Sequence, residues 1–86
     1  IILKHGLLTD TSFTNIAIHD GNGWITPRRP LLYGTKRAAL LDQGVLTEAD
    51  ITIGDLRRAT RVSLFNAMID FGEREIAVHD INTELI

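Results

Sequence analysis

The chain has 86 residues, a hydrophobic content of 44% and a formal net charge of −2. This length allows one small domain that buries about two-thirds of its unfolded surface, and the lack of cysteine excludes disulfides, thiolate metal sites and a cysteine nucleophile. Its scattered basic residues argue against nucleic acid as a partner, no apolar run is long enough to span a membrane, and we expect a cytoplasmic protein.

The first predicted strand is the apolar run at residues 1–4, which a His5-Gly6 turn ends. This run opens the chain without an initiating methionine. We therefore expect residues 1–86 to form a single domain that belongs to the C-terminal part of a longer protein.

A β-hairpin is predicted next. Residues 13–19 form its first strand, with Ile16 and Ile18 on one face. Residues 20–23 read Asp-Gly-Asn-Gly, a strong turn signal because glycine adopts positive φ freely. Residues 24–26 should then return antiparallel to the first strand.

The stretch 30–41 connects this hairpin to the most helical part of the chain. Gly34 permits a tight turn, Thr35 is a suitable N-cap for a helix over 36–43, and Gly44 is a suitable stop. The first N–H groups of such a helix lack partners and its dipole favours negative charge, so the turn is a candidate site for a phosphate or carboxylate. A Thr35 that simply caps a core helix accounts for the same pattern.

The second half of the chain predicts short elements. We expect a strand at 51–53, a helix at 55–59 capped by Asp55, and strands at 61–65 and 76–78. Together these elements predict a mixed α/β fold, with a mostly antiparallel mixed sheet and two short helices. The positions expected to be buried include Ile16, Ile18, Leu31, Leu40, Leu41, Val62, Leu64 and Ile76.

Other functional patterns are weak. The spacings of His5, His19 and His79 do not form a metal site. A catalytic triad built on Ser12 or Ser63 would lack a nucleophile elbow. The residues alone therefore leave open a non-catalytic small α/β module that binds an anionic ligand or a protein partner.

Three patterns follow one another along the chain. The first runs from Gly6 to Asp10 and on to Asn15 on a strand. The second is Thr26-Pro27, followed by Leu31-Leu32 and the Gly34-Thr35-Lys36-Arg37 turn. The third is the strand 61–65, followed by Asn66-Ala67. This ordered set resembles the C-terminal domain of class IV aminotransferases. These fold-type IV enzymes use pyridoxal 5′-phosphate (PLP) and include branched-chain aminotransferases and 4-amino-4-deoxychorismate lyase, and the third pattern resembles the lyase branch most.

The resemblance implies PLP as cofactor and a role for five residues. PLP acts as an electron sink while its ring nitrogen stays protonated. Asp10 stands where the family has the carboxylate, usually a longer glutamate, that keeps the proton there. The resemblance further implies that backbone N–H groups of Thr35 and Lys36 bind the phosphate, and that the Asn66-Ala67 turn supplies more donors.

Two further matches are expected to be structural. Asn15 should tie its strand to a neighbouring turn through its side-chain amide. Arg37 matches an arginine of the family, and on a short helix we expect it to be a packing or surface residue rather than a ligand.

The family lysine that binds PLP covalently has no counterpart here. It lies on an earlier strand, well upstream of the acidic residue, whereas the two lysines of this chain are Lys4 and Lys36. We therefore expect the chain to be incomplete as an enzyme on its own, and to associate with a missing N-terminal segment or as a homo-oligomer. The resemblance implies an amino-acid-like substrate and either transamination or lyase chemistry.

Overall fold

The computed structural model describes residues 1–11, 14–72, 74–75 and 84–85. Within these ranges the chain forms eight strands and two helices: β1 Ile2–Lys4, β2 Leu7–Leu8, β3 Asn15–His19, β4 Trp24–Pro27, α1 Thr35–Asp42, β5 Leu46–Ala49, α2 Ile53–Arg58, β6 Arg61–Phe65, β7 Arg74–Glu75 and β8 Glu84–Leu85. This composition confirms the predicted fold class. The predicted strand at 76–78, with Ile76, lies outside the described residues.

Strand β3 is the centre of a five-stranded sheet with the order β5-β4-β3-β6-β7. It is antiparallel to β4, where Ile18 faces Ile25, and to β6, where Ala17 faces Ser63, while β4 and β5 are parallel. A second sheet has the order β2-β1-β8, in which β1 is antiparallel to β2 and parallel to β8. Antiparallel pairing therefore predominates in the described part of the chain, although the sequence did not indicate two sheets.

The five-stranded sheet buries both of its faces. One face packs against β1, β2 and α2. The buried residues of this cluster come from the sheet and from the segments that cover it, and they are Leu3, Leu8, Ile16, Ile18, Ile51, Leu56 and Val62. The other face packs against α1 through Ala17, Leu46 and Phe65, with Leu40 and Leu41 partly buried around them. The predicted burial of Ile16, Ile18 and Val62 is thus confirmed, and Leu64 is partly buried.

The predicted burial of Leu31 is wrong. Its exposed fraction is 45%, and the side chains of Leu32 and Tyr33 beside it are also exposed. The reason is that this segment is attached to the fold through its backbone, since the N–H and C=O of Leu32 are both hydrogen-bonded to side chains of the domain. Its apolar side chains therefore remain at the surface.

Helix α1 lies within one residue of the predicted range, but its N-cap is Gly34 rather than Thr35. Gly34 is extended, with φ of −70° and ψ of 151°, and no side chain caps the helix. The carbonyl of Gly34 accepts the first bond of the helix, from the N–H of Ala38 at 3.1 Å. Gly44 ends the helix as predicted, with a φ of +75° that favours glycine.

The predicted strand at 51–53 is wrong, because Ile53 begins α2. Thr52 is the N-cap in place of Asp55, and the two form a capping box: the Asp55 N–H donates to Thr52 Oγ1 at 3.2 Å, and the Thr52 N–H donates to Asp55 Oδ2 at 3.0 Å. A local preference of Ile-Thr-Ile for a strand is overridden by these two bonds. In the part of the chain that is described, no helix has the length and apolar character needed to cross a membrane.

Candidate functional site

Asp10 lies near the start of the segment that leads from β2 to β3, two residues after β2 ends. Its exposed fraction is 0%. Its Oδ2 accepts a hydrogen bond from the backbone N–H of Leu32 at 2.8 Å. Its other oxygen, Oδ1, is buried and, among the described residues, has no hydrogen-bond partner. A buried carboxylate oxygen without a donor is costly, so this atom is an acceptor with unused hydrogen-bonding capacity.

Burial raises the pKa of Asp10 above its ordinary value, and hydrogen bonding by the backbone of Leu32, the backbone of Leu31 and the side chain of Thr9 opposes that rise only in part. Desolvation disfavours the ionised carboxylate because the buried charge loses its water. A cationic donor placed beside Asp10 would favour the ionised form.

Asn15, the first residue of β3, holds the segment that approaches α1. Its Nδ2 donates to the carbonyl of Leu32 at 2.8 Å, which is the tie to a neighbouring turn that the sequence predicted. Together Asp10 and Asn15 bind both backbone groups of Leu32. The residue before α1 is Gly34, where a Cβ would lie 2.7 Å from Asn15 Oδ1. The glycine therefore permits close approach of the helix N-terminus to β3.

The N-terminus of α1 has no side-chain cap and no acidic residue in its own first turn. The carboxylate of Asp70 lies beside this turn in an ion pair with Lys36. The first bond within the helix is donated by Ala38, so the N–H groups of residues 35–37 precede the hydrogen-bond ladder. Thr35 is exposed and Lys36 is partly buried. This turn is thus a set of backbone donors with a mildly positive dipole.

The Asn66-Ala67 turn follows β6. Asn66 Oδ1 accepts hydrogen bonds from the backbone N–H groups of Met68 and Ile69, each at 2.8 Å, and Ala67 is exposed. The loop reaches the start of α1 through an ion pair between Lys36 Nζ and Asp70 Oδ1. The Lys36 side chain therefore connects the start of α1 to the loop that contains the Asn66-Ala67 turn.

Arg37 is a packing residue, as expected from the sequence. Its exposed fraction is 5%, and its Nη2 donates to the Pro27 carbonyl at 3.1 Å and to Glu48 Oε2 at 2.5 Å. Its guanidinium lies 5.4 Å from the centre of the Tyr33 ring. Arg37 thus attaches the first turn of α1 to the ends of β4 and β5.

A cavity of about 390 Å³ is lined by residues next to Asp10 and Leu32 in the chain. Its walls include Thr9, Leu31 and Tyr33, which flank the two hydrogen-bonded residues. The five residues predicted to bind a cofactor do not line it. Sequence reasoning missed this cavity, and the only signal for it was the Arg28-Arg29-Pro30 run. Among the described residues, no group of three or more His, Asp or Glu side chains is placed to bind a metal ion.

Comparisons with known proteins agree on one family. Residues 1–73 match the family model described as amino-transferase class IV. The chain is 42% identical over 73 residues to the aminodeoxychorismate lyase of Saccharomyces cerevisiae, covering 77% of this chain and 20% of that enzyme.

Solved structures lead to the same family. A Haemophilus somnus protein assigned as a 4-amino-4-deoxychorismate lyase is 42% identical, with a TM-score of 0.69 over 74% of this chain and 33% of its own. An aminotransferase from Brucella abortus bound to PLP has a TM-score of 0.63 over 83% of this chain and 26% of its own, and at 23% identity it shows the shared fold. The chain thus spans about a third or less of the length of these relatives. From its match to the family over most of its length, the chain belongs to the class IV aminotransferases.

Proposed function

We propose that this chain is the PLP-binding C-terminal portion of a class IV aminotransferase-like enzyme. The whole enzyme would act on an amino-acid-like substrate, by transamination or by the lyase chemistry named for the yeast and Haemophilus relatives. When bound, PLP supplies an electron sink for bonds at the substrate carbon attached to nitrogen. The residues of this chain would bind the cofactor and hold its ring nitrogen protonated.

The observation that carries this proposal is the buried, unpartnered Oδ1 of Asp10. The protonated ring nitrogen of PLP is a cationic N–H donor, and a carboxylate is its natural acceptor. Such a contact would satisfy Oδ1 and offset the cost of burying the charge, while the Leu32 N–H keeps the carboxylate in place. The raised pKa of Asp10 in the chain alone fits an acid whose partner is supplied by a ligand.

The turn at the start of α1 supports the proposed position of the PLP phosphate. Thr35 and Lys36 contribute N–H groups ahead of the helix ladder, and no acidic residue in the first turn competes for them. The Lys36–Asp70 ion pair keeps the Asn66-Ala67 turn beside the same helix. We assign the phosphate to the N–H groups of Thr35, Lys36 and Ala67. The Asn66 N–H already donates to the Ile69 carbonyl at 3.0 Å, and Asn66 orients its loop through its side-chain oxygen.

The lysine that would bind PLP covalently belongs, in this proposal, to a segment outside this chain. Neither Lys4 nor Lys36 is at the family position: Lys4 is on β1 and Lys36 is occupied by Asp70. The chain by itself would then bind the cofactor non-covalently and weakly. We propose a cytoplasmic, homo-oligomeric enzyme in which residues 1–86 form one domain.

Titration with pyridoxine 5′-phosphate tests this proposal, because that molecule keeps the ring nitrogen and the phosphate but has no aldehyde to react with lysines. Calorimetry should show saturable binding. Asp10→Asn should weaken it by about 10-fold or more, since a charge-assisted hydrogen bond is lost. Asp42→Asn, which changes an exposed aspartate at the far end of α1, is the matched control and should leave the affinity unchanged.

Two results would contradict the proposal. Equal affinity of the wild type and Asp10→Asn would remove Asp10 from the site. Binding of inorganic phosphate as tight as that of pyridoxine 5′-phosphate would favour the alternative, a non-catalytic module that binds anions.

A further inference from the structure

The cavity beside Asp10 and Leu32, hereafter the cationic cavity, has an apolar floor and a basic rim. Leu8, Thr9 and Pro30 form its buried floor. The Thr9 hydroxyl donates to the Ile2 carbonyl at 2.9 Å, so it is already satisfied. The volume of about 390 Å³ is near the lower end of the range for small-molecule sites.

The rim contains three of the nine lysine and arginine residues of the chain, namely Lys4, Arg28 and Arg29, and it also contains the carboxylate of Asp50. Arg28 lies 3.9 Å from Asp50, and both side chains are more than half exposed, so this pair is weak. In the described ranges, no carboxylate pairs with Lys4 or Arg29. Since the chain as a whole carries a charge of −2, this is a local excess of positive charge.

We propose that the cationic cavity binds a small aromatic carboxylate. Its ring would lie on Leu8 and Pro30, beside the exposed Tyr33, and its carboxylate would meet the unpaired cations at the rim. A free phosphate would leave the apolar floor uncovered, and a neutral ring would leave Lys4 and Arg29 unpaired. An amphiphilic anion satisfies both parts of the cavity. The site is separate from the proposed cofactor site, since none of the cofactor residues lines it.

Three related probes test the chemistry: isophthalate with two carboxylates, benzoate with one, and benzyl alcohol with none. Amide NMR shifts of Leu8 and Thr9 report occupancy at the floor. We expect saturable shifts whose affinity falls in the order isophthalate, benzoate, benzyl alcohol. Added salt should weaken binding of the two anions, because charges at an exposed rim are screened.

Arg29→Gln should weaken isophthalate binding by about three- to tenfold, the range expected for a partly exposed charge contact. Lys4→Gln should act in the same direction. Arg57→Gln is the matched control, since Arg57 is exposed on α2 and outside the cavity. These side chains make no ion pair within the described structure, so the variants should fold, and an unchanged melting temperature checks this.

The proposal is overturned if isophthalate gives no saturable shift at the floor, or if Arg29→Gln and Arg57→Gln bind it equally well. Equal affinity of benzyl alcohol and isophthalate would also overturn it, because the rim would then contribute nothing.

Discussion

Gly34→Ala tests how the helix N-terminus is positioned. The backbone of Gly34 has a conformation that alanine adopts without strain, with φ of −70° and ψ of 151°. The obstacle is the side chain of Asn15, whose Oδ1 would lie 2.7 Å from the new Cβ. Asn15 has little freedom to move, because its Nδ2 is bound to the Leu32 carbonyl at 2.8 Å.

The expected cost follows from that hydrogen bond. Moving the Asn15 amide away from residue 34 breaks its bond to Leu32, which costs about 1–3 kcal/mol when a partly buried group loses its partner. Loss of a favoured N-cap glycine adds about 0.5 kcal/mol. In an Asn15→Ala background the clash disappears, and Gly34→Ala should then cost only the smaller amount.

Urea denaturation of the wild type, both single variants and the double variant forms a double-mutant cycle. We expect a coupling free energy of about 1–3 kcal/mol between positions 15 and 34. Gly23→Ala is the control, because a Cβ there meets nothing within 4 Å, and it should change stability by less than about 0.5 kcal/mol. Additivity of the two variants within about 0.5 kcal/mol would refute the close contact.

Four further variants test other parts of the structure. Burial raises the pKa of Asp10 in the folded chain. The contribution of this group to the free energy of unfolding is therefore complete below its unfolded pKa of 3.8, and it is lost as the pH rises through the higher folded pKa. In urea denaturation, Asp10→Asn should therefore gain stability relative to the wild type as the pH rises above 3.8, and a difference that is flat with pH would contradict this. Ile16→Ala, at a fully buried position, should destabilise by about 2–5 kcal/mol, whereas Leu31→Ala at the surface should cost under about 0.5 kcal/mol. Similar costs for the two would show that the core is misplaced. Thr52→Ala should cost about 0.5–2 kcal/mol by removing the capping box, and an unchanged chemical midpoint would argue against that cap.

Features that depend on a few adjacent residues were predicted correctly from local sequence patterns. The Asp-Gly-Asn-Gly turn placed the β3–β4 hairpin, the alternation of residues 61–65 placed β6 at the bounds found, and Gly44 placed the end of α1. The strand expected at 51–53 failed because β-branched residues favour a strand locally. The Thr52 and Asp55 spacing of a capping box was present in the sequence and was the better guide.

The burial of individual side chains depended on contacts distant in sequence. Leu31 looked like a core residue, but the backbone of its neighbour Leu32 is bound by Asp10 and Asn15, so Leu31 is left outside. The cationic cavity likewise forms where the β1–β2 hairpin meets the segment 28–33. No local sequence pattern predicts that these two segments come together.

The candidate site was only partly foreseen. The resemblance selected Asp10, but its complete burial and unpartnered Oδ1 arise from packing that the sequence does not display. The pairing of Lys36 with Asp70 also joins residues far apart in the chain. The position of the N-cap at Gly34 rather than Thr35 followed from contact with Asn15, which the sequence did not reveal.

The central claim is that Asp10 and the α1 turn hold PLP. The most direct measurement is the amide NMR spectrum of the chain titrated with pyridoxine 5′-phosphate. We expect saturable shifts at Thr35, Lys36 and Ala67, with weaker binding in Asp10→Asn. Shifts confined to Leu8 and Thr9 at the floor of the cationic cavity, or no saturable shift at all, would contradict the claim.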